Sequence, residues 1–127
     1  QRNRLIIDAY NANLSSMHAA LQSFAQTEDA HKMMILGDMR ELGTASADAH
    51  AEVLQLALTT GSQQVWLVGS EFAQALTTLP ADQKVIFRTF PDVEAVKAEL
   101  EAQPLNDQLI LIKGSNGTRL FQLPELL

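Results

Sequence analysis

The feature that most constrains the fold is an alternation of short apolar runs with longer segments of helical periodicity. The apolar runs lie at residues 5–7, 33–36, 65–68, 85–87 and 109–112. They are continuous rather than alternating, which is typical of strands that are covered on both faces. Because parallel strands need a crossover connection, the alternation predicts an α/β fold with helices on both faces of a mostly parallel sheet.

The segments between the runs predict four helices, because their apolar residues recur three and four positions apart. These segments are residues 17–24, 53–58, 72–79 and 93–100. Ser15 or Ser16 is the predicted N-cap of the first helix, Gly61 ends the second, and Asp92 introduces the fourth. Right-handed crossovers then give a doubly wound, Rossmann-like sheet. We expect about six strands, the last at residues 118–123 and antiparallel, since no crossover helix fits before it.

Composition and charge limit the class of protein. The 127 residues are 46% hydrophobic and 19% charged, which fits one globular domain spanning residues 1–127. Nine basic against 15 acidic residues give a net charge of −6, which argues against nucleic acid as a partner. The chain has no Cys, and its three His lack zinc spacing, so no metal site is expected. We found neither a bilayer-length apolar run nor a signal-peptide pattern, so we expect a cytoplasmic protein with no membrane partner.

Polar loops follow the first, second and fifth predicted strands. They cover residues 8–13, 37–43 and 113–117. In open α/β sheets, ligands bind at the carboxyl ends of the strands. We therefore expect the three loops to converge on one edge of the sheet and to carry the function.

The first loop has two interpretations. Asp8 ends a strand, and Asn11 and Asn13 precede a helix whose N-terminal amides carry partial positive charge. This arrangement suits ribose hydroxyls, phosphates or carboxylates. The alternative is that these residues only cap the loop and the helix.

The other two loops also leave alternatives open. Asp38 and Glu41 could hold an ammonium group or position Arg40, or they could form a solvated loop with an internal ion pair. His50 falls in the first turn of the next helix and could point back toward this loop. Lys113 lies beside glycines whose N–H groups suit an anion, although a hairpin with a snorkelling lysine fits equally well. No Walker A spacing and no nucleophile with an adjacent base occur, so no catalytic residue is assigned.

Together, the three loops resemble those of the C-terminal domain of the Mur ligases. The resemblance rests on Asp-x-Tyr-Asn-Ala-Asn at residues 8–13, on Gly-Asp-Met-x-Glu-Leu-Gly at 37–43 with His50 following, and on Lys-Gly-Ser-x-Gly at 113–117. Order, spacing and strand context agree across essentially the whole chain. One departure is Leu14, which stands where the family usually has Pro.

The resemblance implies an ATP-dependent amide ligase of bacterial peptidoglycan precursor synthesis. In such ligases, the carboxylate of a UDP-linked muramoyl peptide is activated as an acyl phosphate and then attacked by an amine. The loop at 37–43 is most similar to that of the members that add D-alanyl-D-alanine to UDP-N-acetylmuramoyl-tripeptide. ATP and Mg²⁺ are then bound mainly by a central ATPase domain of the same polypeptide, over which this domain closes. We expect the chain to be the final domain of that enzyme, without the N-terminal and central domains, and to be inactive alone.

The resemblance also implies roles for individual residues. The residues implied to face the nucleotide are Asp8, Tyr10, Asn11 and Asn13. Those implied to bind substrate are Asp38, Glu41, His50, Lys113 and Ser115. The alternatives are the equivalent domain of a sister ligase, such as another muramoyl-peptide ligase or folylpolyglutamate synthase, or a non-catalytic α/β binding module. A receiver-like signalling module fits poorly, since residues 69–70 are Gly-Ser where an acceptor Asp is needed.

Overall fold

The computed structural model describes residues 3–8 and 12–127, apart from the side chain of Asn116. Within these ranges the strands are β1 (Arg4–Asp8), β2 (Lys32–Gly37), β3 (Gln64–Val68), β4 (Phe87–Phe90) and β5 (Leu109–Lys113). The helices are α1 (Leu14–Gln26), α2 (Ser46–Ala57), α3 (Ser70–Leu76), α4 (Ala81–Lys84) and α5 (Val93–Ala102). Short 3₁₀ turns occur at Gly43–Ala45, Asn116–Thr118, Leu120–Gln122 and Pro124–Leu126.

The strands form one sheet in the order β1-β5-β2-β3-β4, and all the pairings are parallel. Helices α1, α2 and α3 supply the apolar side chains that cover one face, while α5 and the C-terminal turns cover the other. This is the doubly wound α/β fold that the alternation of apolar runs and helical segments predicts. No helix in the described ranges is both long and apolar enough to span a membrane.

The predicted antiparallel sixth strand is wrong. Residues 118–123 form 3₁₀ turns instead, and Arg119 has a left-handed backbone (φ 56°) that interrupts any extended run. Leu120 and Leu123 are fully buried in the core under α5. Since residues three apart lie on the same side of a 3₁₀ helix, this spacing buries both leucines without a strand.

The fourth strand begins at Phe87, two residues after the predicted start of its apolar run. Val85 is 80% exposed at the end of α4. Phe87 and Phe90 are buried in opposite cores, because residues an odd number apart point to opposite faces of a strand. The two buried phenylalanines therefore mark the bounds of this strand, whereas the aliphatic residues Val85 and Ile86 lie before it.

The strand register determines which loops meet. Asp8 and Leu36 both align with Lys113, and Gly37 aligns with Val68. The carboxyl ends of the strands therefore lie at one edge of the sheet, as predicted for the three loops. At the side of the sheet, β1 is an edge strand, with Ile6 41% and Ile7 51% exposed.

Candidate functional site

A cleft of about 800 Å³ lies at the carboxyl edge of the sheet. It is lined by residues 38–43 after β2, 68–71 after β3, 91–94 after β4 and 117–119 after β5. The cleft thus joins the second and third loops that the sequence singled out. Asp8, Lys113 and Ser115 are not among its lining residues and form a neighbouring cluster over β1 and β5.

The second and third loops approach each other closely because glycines lie where they meet. A Cβ on Gly114 would lie 2.7 Å from Thr118 Oγ1 and 3.2 Å from the Cα of Gly37. A Cβ on Gly37 would lie 2.6 Å from the same Oγ1. The Thr118 hydroxyl is itself held by the carbonyl of Ser115, at 2.7 Å. The glycines of both motifs therefore allow the loops to pack against one turn.

Asp38 caps the next helix along the sheet. Its Oδ2 and Oδ1 accept hydrogen bonds from the backbone N–H groups of Glu71 and Phe72, each at 2.9 Å. Gly69, just before α3, has φ 120°, and a Cβ there would lie 2.2 Å from the Asp38 carboxylate. Both carboxylate oxygens thus bind the N-terminus of α3, which is a structural use of this predicted substrate residue.

His50 lies beneath the cleft and is fully buried. It points back toward the second loop, the orientation that the sequence left open, and its Nε2 accepts from the backbone N–H of Met39 at 3.0 Å. Its Nδ1 lies 2.8 Å from the carbonyl oxygen of Ser46. Both ring nitrogens are therefore bound to the backbone, and the ring has no surface for a ligand.

Charged side chains of both signs stand in the cleft and are open to solvent. Glu41 is exposed and has a left-handed backbone (φ 62°). Arg40 and Arg119 are also exposed. Among the described residues, these three side chains have no hydrogen-bond or ion-pair partner, so they are available to a ligand that carries both a positive and a negative group.

The neighbouring cluster is built around an ion pair. Lys113 is fully buried, and its Nζ donates to Asp8 Oδ2 at 2.7 Å, while the Asp8 side chain is 48% exposed. Ser115 is buried, and its hydroxyl has no hydrogen-bond partner within the described part of the chain. The cluster therefore combines a half-exposed carboxylate with a buried hydroxyl that has no partner among the described residues and with the buried Lys113 cation.

Of the other residues predicted to face the nucleotide, the structure describes only Asn13. Asn13 is the N-cap of α1, in place of the predicted Ser15 or Ser16. Its Oδ1 accepts from the N–H of Ser16 at 2.9 Å, and the Ser16 hydroxyl accepts from the N–H of Asn13 at 3.1 Å. Asn13 therefore caps the helix, which is the second of the two interpretations of the first loop. Tyr10 and Asn11 lie outside the described residues.

Some polar residues of the cleft were missed by the sequence reasoning. Glu71 follows β3 and accepts a hydrogen bond from the Ser46 hydroxyl. Glu94 follows β4, as does Asp92, which the sequence predicted only as the residue that introduces the last helix; that cap is confirmed, because Asp92 Oδ1 accepts from the N–H of Ala95 at 2.9 Å. The signal that could have found them is the rule applied to the other loops, since they also follow the carboxyl ends of parallel strands.

The pKa shifts arise away from the cleft. Burial lowers the pKa of Lys32, whose Nζ donates to the carbonyls of Phe24 and Thr27 at the end of α1, at 2.6 and 2.8 Å. The hydrogen bond from Arg88, 2.8 Å long, lowers the pKa of the Glu99 carboxyl. Neither Lys32 nor Glu99 lines the cleft. In the described ranges, no three His, Asp or Glu side chains are grouped so that they could hold a metal ion.

Comparison with known proteins identifies the class. The Mur ligase family, in its glutamate ligase domain, matches residues 1–116. The chain therefore belongs to the Mur ligase family. It is 35% identical over 123 residues to a UDP-N-acetylmuramoyl-tripeptide--D-alanyl-D-alanine ligase from Treponema pallidum, an alignment that covers 96% of this chain and 27% of the relative.

Solved structures show the same fold. A crystal structure of MurF from Acinetobacter baumannii matches with a TM-score of 0.74 and 28% identity, over 98% of this chain and 28% of that one. A MurF ligase from Thermotoga maritima, solved in complex with ADP, matches with a TM-score of 0.69 and 19% identity, over 99% of this chain and 28% of that one. The chain thus spans only about a quarter of the length of the proteins that it resembles.

Proposed function

We propose that this chain is the C-terminal domain of an ATP-dependent ligase that adds D-alanyl-D-alanine to UDP-N-acetylmuramoyl-tripeptide. The observation that carries the proposal is the shared cleft, because residues 38–43 and 117–119 line it together. The first segment is the second loop, and the other begins at Gly117, the last residue of the third loop; the resemblance to dipeptide-adding Mur ligases rests on both loops. The relative from Treponema pallidum carries the same activity in its name.

The proposed reaction has two steps. The terminal carboxylate of the tripeptide attacks the γ-phosphate of ATP, which gives an acyl phosphate and releases ADP. The amine of D-alanyl-D-alanine then attacks the acyl carbon, forms the amide bond, loses a proton and displaces phosphate. The acyl phosphate hydrolyses if water reaches it, so closure of this domain over the central domain protects it.

The cleft suits a dipeptide, which is a zwitterion at neutral pH. Glu41 is the group that we assign to the ammonium, because its carboxylate is exposed and its neighbours Asp38 and Glu71 are bound elsewhere. We assign the dipeptide carboxylate to Arg40 or Arg119, which also line the cleft. Arginine suits this role because its planar fork matches a carboxylate.

The cluster over β1 and β5 suits the anionic side of the reaction. Asp8 has a half-exposed carboxylate that can accept hydrogen bonds from ribose hydroxyls. Lys113 supplies a cation behind it, and the unpaired Ser115 hydroxyl can donate to a carboxylate or a phosphate. We keep Tyr10, Asn11 and Asn13 as predicted nucleotide neighbours, and His50 as a residue that acts through the loop it holds.

The rest of the enzyme has to supply what this chain lacks. The described residues offer no ligand set for Mg²⁺, so we assign the metal and most of the ATP site to the central ATPase domain. ADP bound to the Thermotoga maritima neighbour supports a nucleotide in the reaction. We place the reaction in the bacterial cytoplasm, where ATP and UDP-linked precursors are available.

The test is ligation by the full-length enzyme that carries this domain, with ADP and the peptide product followed separately. We expect product only when ATP, UDP-N-acetylmuramoyl-tripeptide and D-alanyl-D-alanine are all present. Glu41→Gln should raise the dipeptide KM about tenfold or more with little change in the ATP KM, because an ammonium loses its charged partner. Glu28→Gln, on the loop after α1, is the matched control.

Other outcomes separate the alternatives. Use of glutamate or another amino acid in place of the dipeptide would assign the chain to a sister ligase. Wild-type ligation combined with an unchanged dipeptide KM in Glu41→Gln would remove the assignment of the ammonium site. The 127-residue chain alone should neither hydrolyse ATP nor form product, and ATPase activity from the pure chain would contradict the proposed division of labour.

A further inference from the structure

His50 occupies a position that the proposed chemistry does not use directly. It lies in the first turns of α2 and is fully buried, with its ring edge-on to Phe72 at a centroid distance of 4.6 Å and an angle of 82°. Its Nε2 is 3.9 Å from Asp38 Oδ1, beyond hydrogen-bond distance. The backbone binds the ring on two sides, and Nδ1 also lies 3.2 Å from the Ser46 hydroxyl.

The two backbone partners define which nitrogen carries the proton. The N–H of Met39 can only donate, so Nε2 has to offer a lone pair. The carbonyl of Ser46 can only accept, so Nδ1 has to carry the hydrogen. Both bonds form at once in a single state of the ring, the neutral Nδ1–H tautomer.

The bond to Met39 fixes the start of the second loop. The Met39 side chain is 2% exposed and belongs to the core, and the N–H of Asp38 donates to the carbonyl of Val68 at 3.0 Å. The chain is thus anchored through both residues, whereas Arg40 and Glu41 directly after them are exposed in the cleft. The direction in which these two side chains leave the sheet depends on the peptide that His50 holds.

We propose that His50 is a positioning residue for the incoming dipeptide: through its Nε2 acceptor it holds the Met39 amide, and so sets where Arg40 and Glu41 stand in the cleft. This inference rests on the proposed function for the identity of the ligand. It assigns His50 no contact with substrate. From the resemblance, we expected His50 to bind substrate directly. We now propose that it acts through the loop that it holds.

Two substitutions separate the acceptor from the donor of the ring. In His50→Gln, the side-chain oxygen can reach the position of Nε2 and accept from Met39, although the donor to Ser46 is lost. In His50→Asn, the shorter amide can still donate to the Ser46 carbonyl but does not reach the Met39 N–H. Comparison of the two variants therefore shows which of the two hydrogen bonds affects dipeptide binding. Both variants keep a polar side chain at this position.

In the full-length ligase, we expect His50→Asn to raise the KM for D-alanyl-D-alanine about tenfold, the effect of leaving one buried N–H without its acceptor. The KM for ATP should stay within about twofold, and His50→Gln should restore the dipeptide KM to within about threefold of wild type. His31→Gln is the matched control, since His31 is exposed at the opposite end of β2. Equal effects of the Asn and Gln variants, or losses shared by all the substrates, would overturn the proposal.

A second measurement does not depend on ligation. The chain has three histidines, so ¹⁵N-histidine labelling of the 127-residue chain gives a short set of signals that His50→Gln assigns. We expect the His50 ring to show a protonated Nδ1 and an unprotonated Nε2 at neutral pH. A protonated Nε2 cannot accept from the Met39 N–H, and would therefore rule out the positioning role of His50 even if the dipeptide is the substrate. If the expected tautomer is found but the full-length enzyme does not use the dipeptide, the hydrogen bond from Met39 to His50 stands and the proposed function is wrong.

Discussion

The two polar clusters at the carboxyl edge of the sheet use similar residues in different ways. Over β2 and β3, the Asp38 carboxylate and both nitrogens of His50 bind backbone groups. Over β1 and β5, Asp8 and Lys113 bind each other, Asp8 is half exposed, and the Ser115 hydroxyl is unpaired within the described residues. The first cluster is part of the scaffold, and the second retains capacity for a ligand.

This difference shows that a polar motif at a ligand-binding edge has two possible uses. A side chain whose hydrogen-bonding groups are all bound to the backbone stabilises loops, and its loss is expected mainly in the free energy of unfolding. A side chain with spare capacity is expected to affect activity more than stability. Substitutions can therefore test the assignment of each cluster.

The largest effect is expected for Lys113→Met in the second cluster. Removal of the cation should lower kcat/KM for ligation about 100-fold, the usual scale for losing one preorganised electrostatic group. The free energy of unfolding should fall by no more than about 2 kcal/mol, because Met fills a similar volume and the half-exposed Asp8 is rehydrated, which avoids most of the cost of a buried unpaired charge. Steady-state kinetics of the full-length enzyme and urea denaturation measure the two quantities, with Lys84→Met as the control. Full activity combined with a large loss of unfolding free energy would assign Lys113 to the scaffold instead.

Next in size is Asp38→Ala in the first cluster. The variant leaves two N–H groups at the start of α3 without their charged acceptor, so the free energy of unfolding should fall by about 2.5 kcal/mol. Asp92→Ala is the matched comparison, since Asp92 accepts from a single N–H in α5 and should cost about 1 kcal/mol. Urea denaturation followed by circular dichroism gives both values. If Asp38→Ala costs no more than Asp92→Ala, the carboxylate is not committed to the scaffold.

A glycine pair tests how tightly the first cluster is packed. Gly69→Ala combines a backbone of φ 120° with a Cβ placed 2.2 Å from the Asp38 carboxylate, and we expect a loss of about 2 kcal/mol. Gly43→Ala shares a positive φ, at 57°, but its Cβ meets nothing within 4 Å, so about 1 kcal/mol is expected. Thermal and urea unfolding of the two variants should show the difference. Equal losses would mean that backbone conformation alone, and not the contact with Asp38, matters at Gly69.

The smallest effect is expected for Glu99→Gln, which provides a reference for an ion pair far from both clusters. The hydrogen bond from Arg88 lowers the pKa of Glu99, so the folded state favours the charged carboxylate. The stabilisation is then present above the ordinary pKa of a glutamate and is lost as the pH falls through the lowered pKa. Wild type should be slightly more stable than Glu99→Gln at pH 7, and the difference should shrink in acid and vanish once the pH is below the lowered pKa of Glu99. A difference that persists in acid would contradict the ionic origin.

The sequence was sufficient to predict the fold and the edge at which the loops meet. Continuous apolar runs and helical periodicity indicate parallel strands with crossovers, and parallel strands bring their carboxyl ends together whatever the details of packing. The contact between Asp8 and Lys113 follows from that register. The mistaken sixth strand had no such support, because Leu120 and Leu123 fit a 3₁₀ spacing as well as a strand.

The use of each polar side chain could not be predicted in the same way. Asp38 caps a helix that begins more than 30 residues later, which depends on how closely β2 and β3 pack at Gly69. His50 could be placed near the second loop, but local spacing does not tell which backbone groups its ring nitrogens meet. Such partners are determined by tertiary packing, and they decide whether a motif residue supports the site or takes part in it.

The edge strand β1 has a consequence for work with this chain in isolation. Its outer backbone groups face away from β5, and Ile6 and Ile7 beside them are 41% and 51% exposed. An uncovered strand edge with apolar side chains is a template for pairing with another chain. Self-association at high protein concentration is therefore a hazard of this surface, and Ile7→Lys is the substitution by which a soluble form could be engineered.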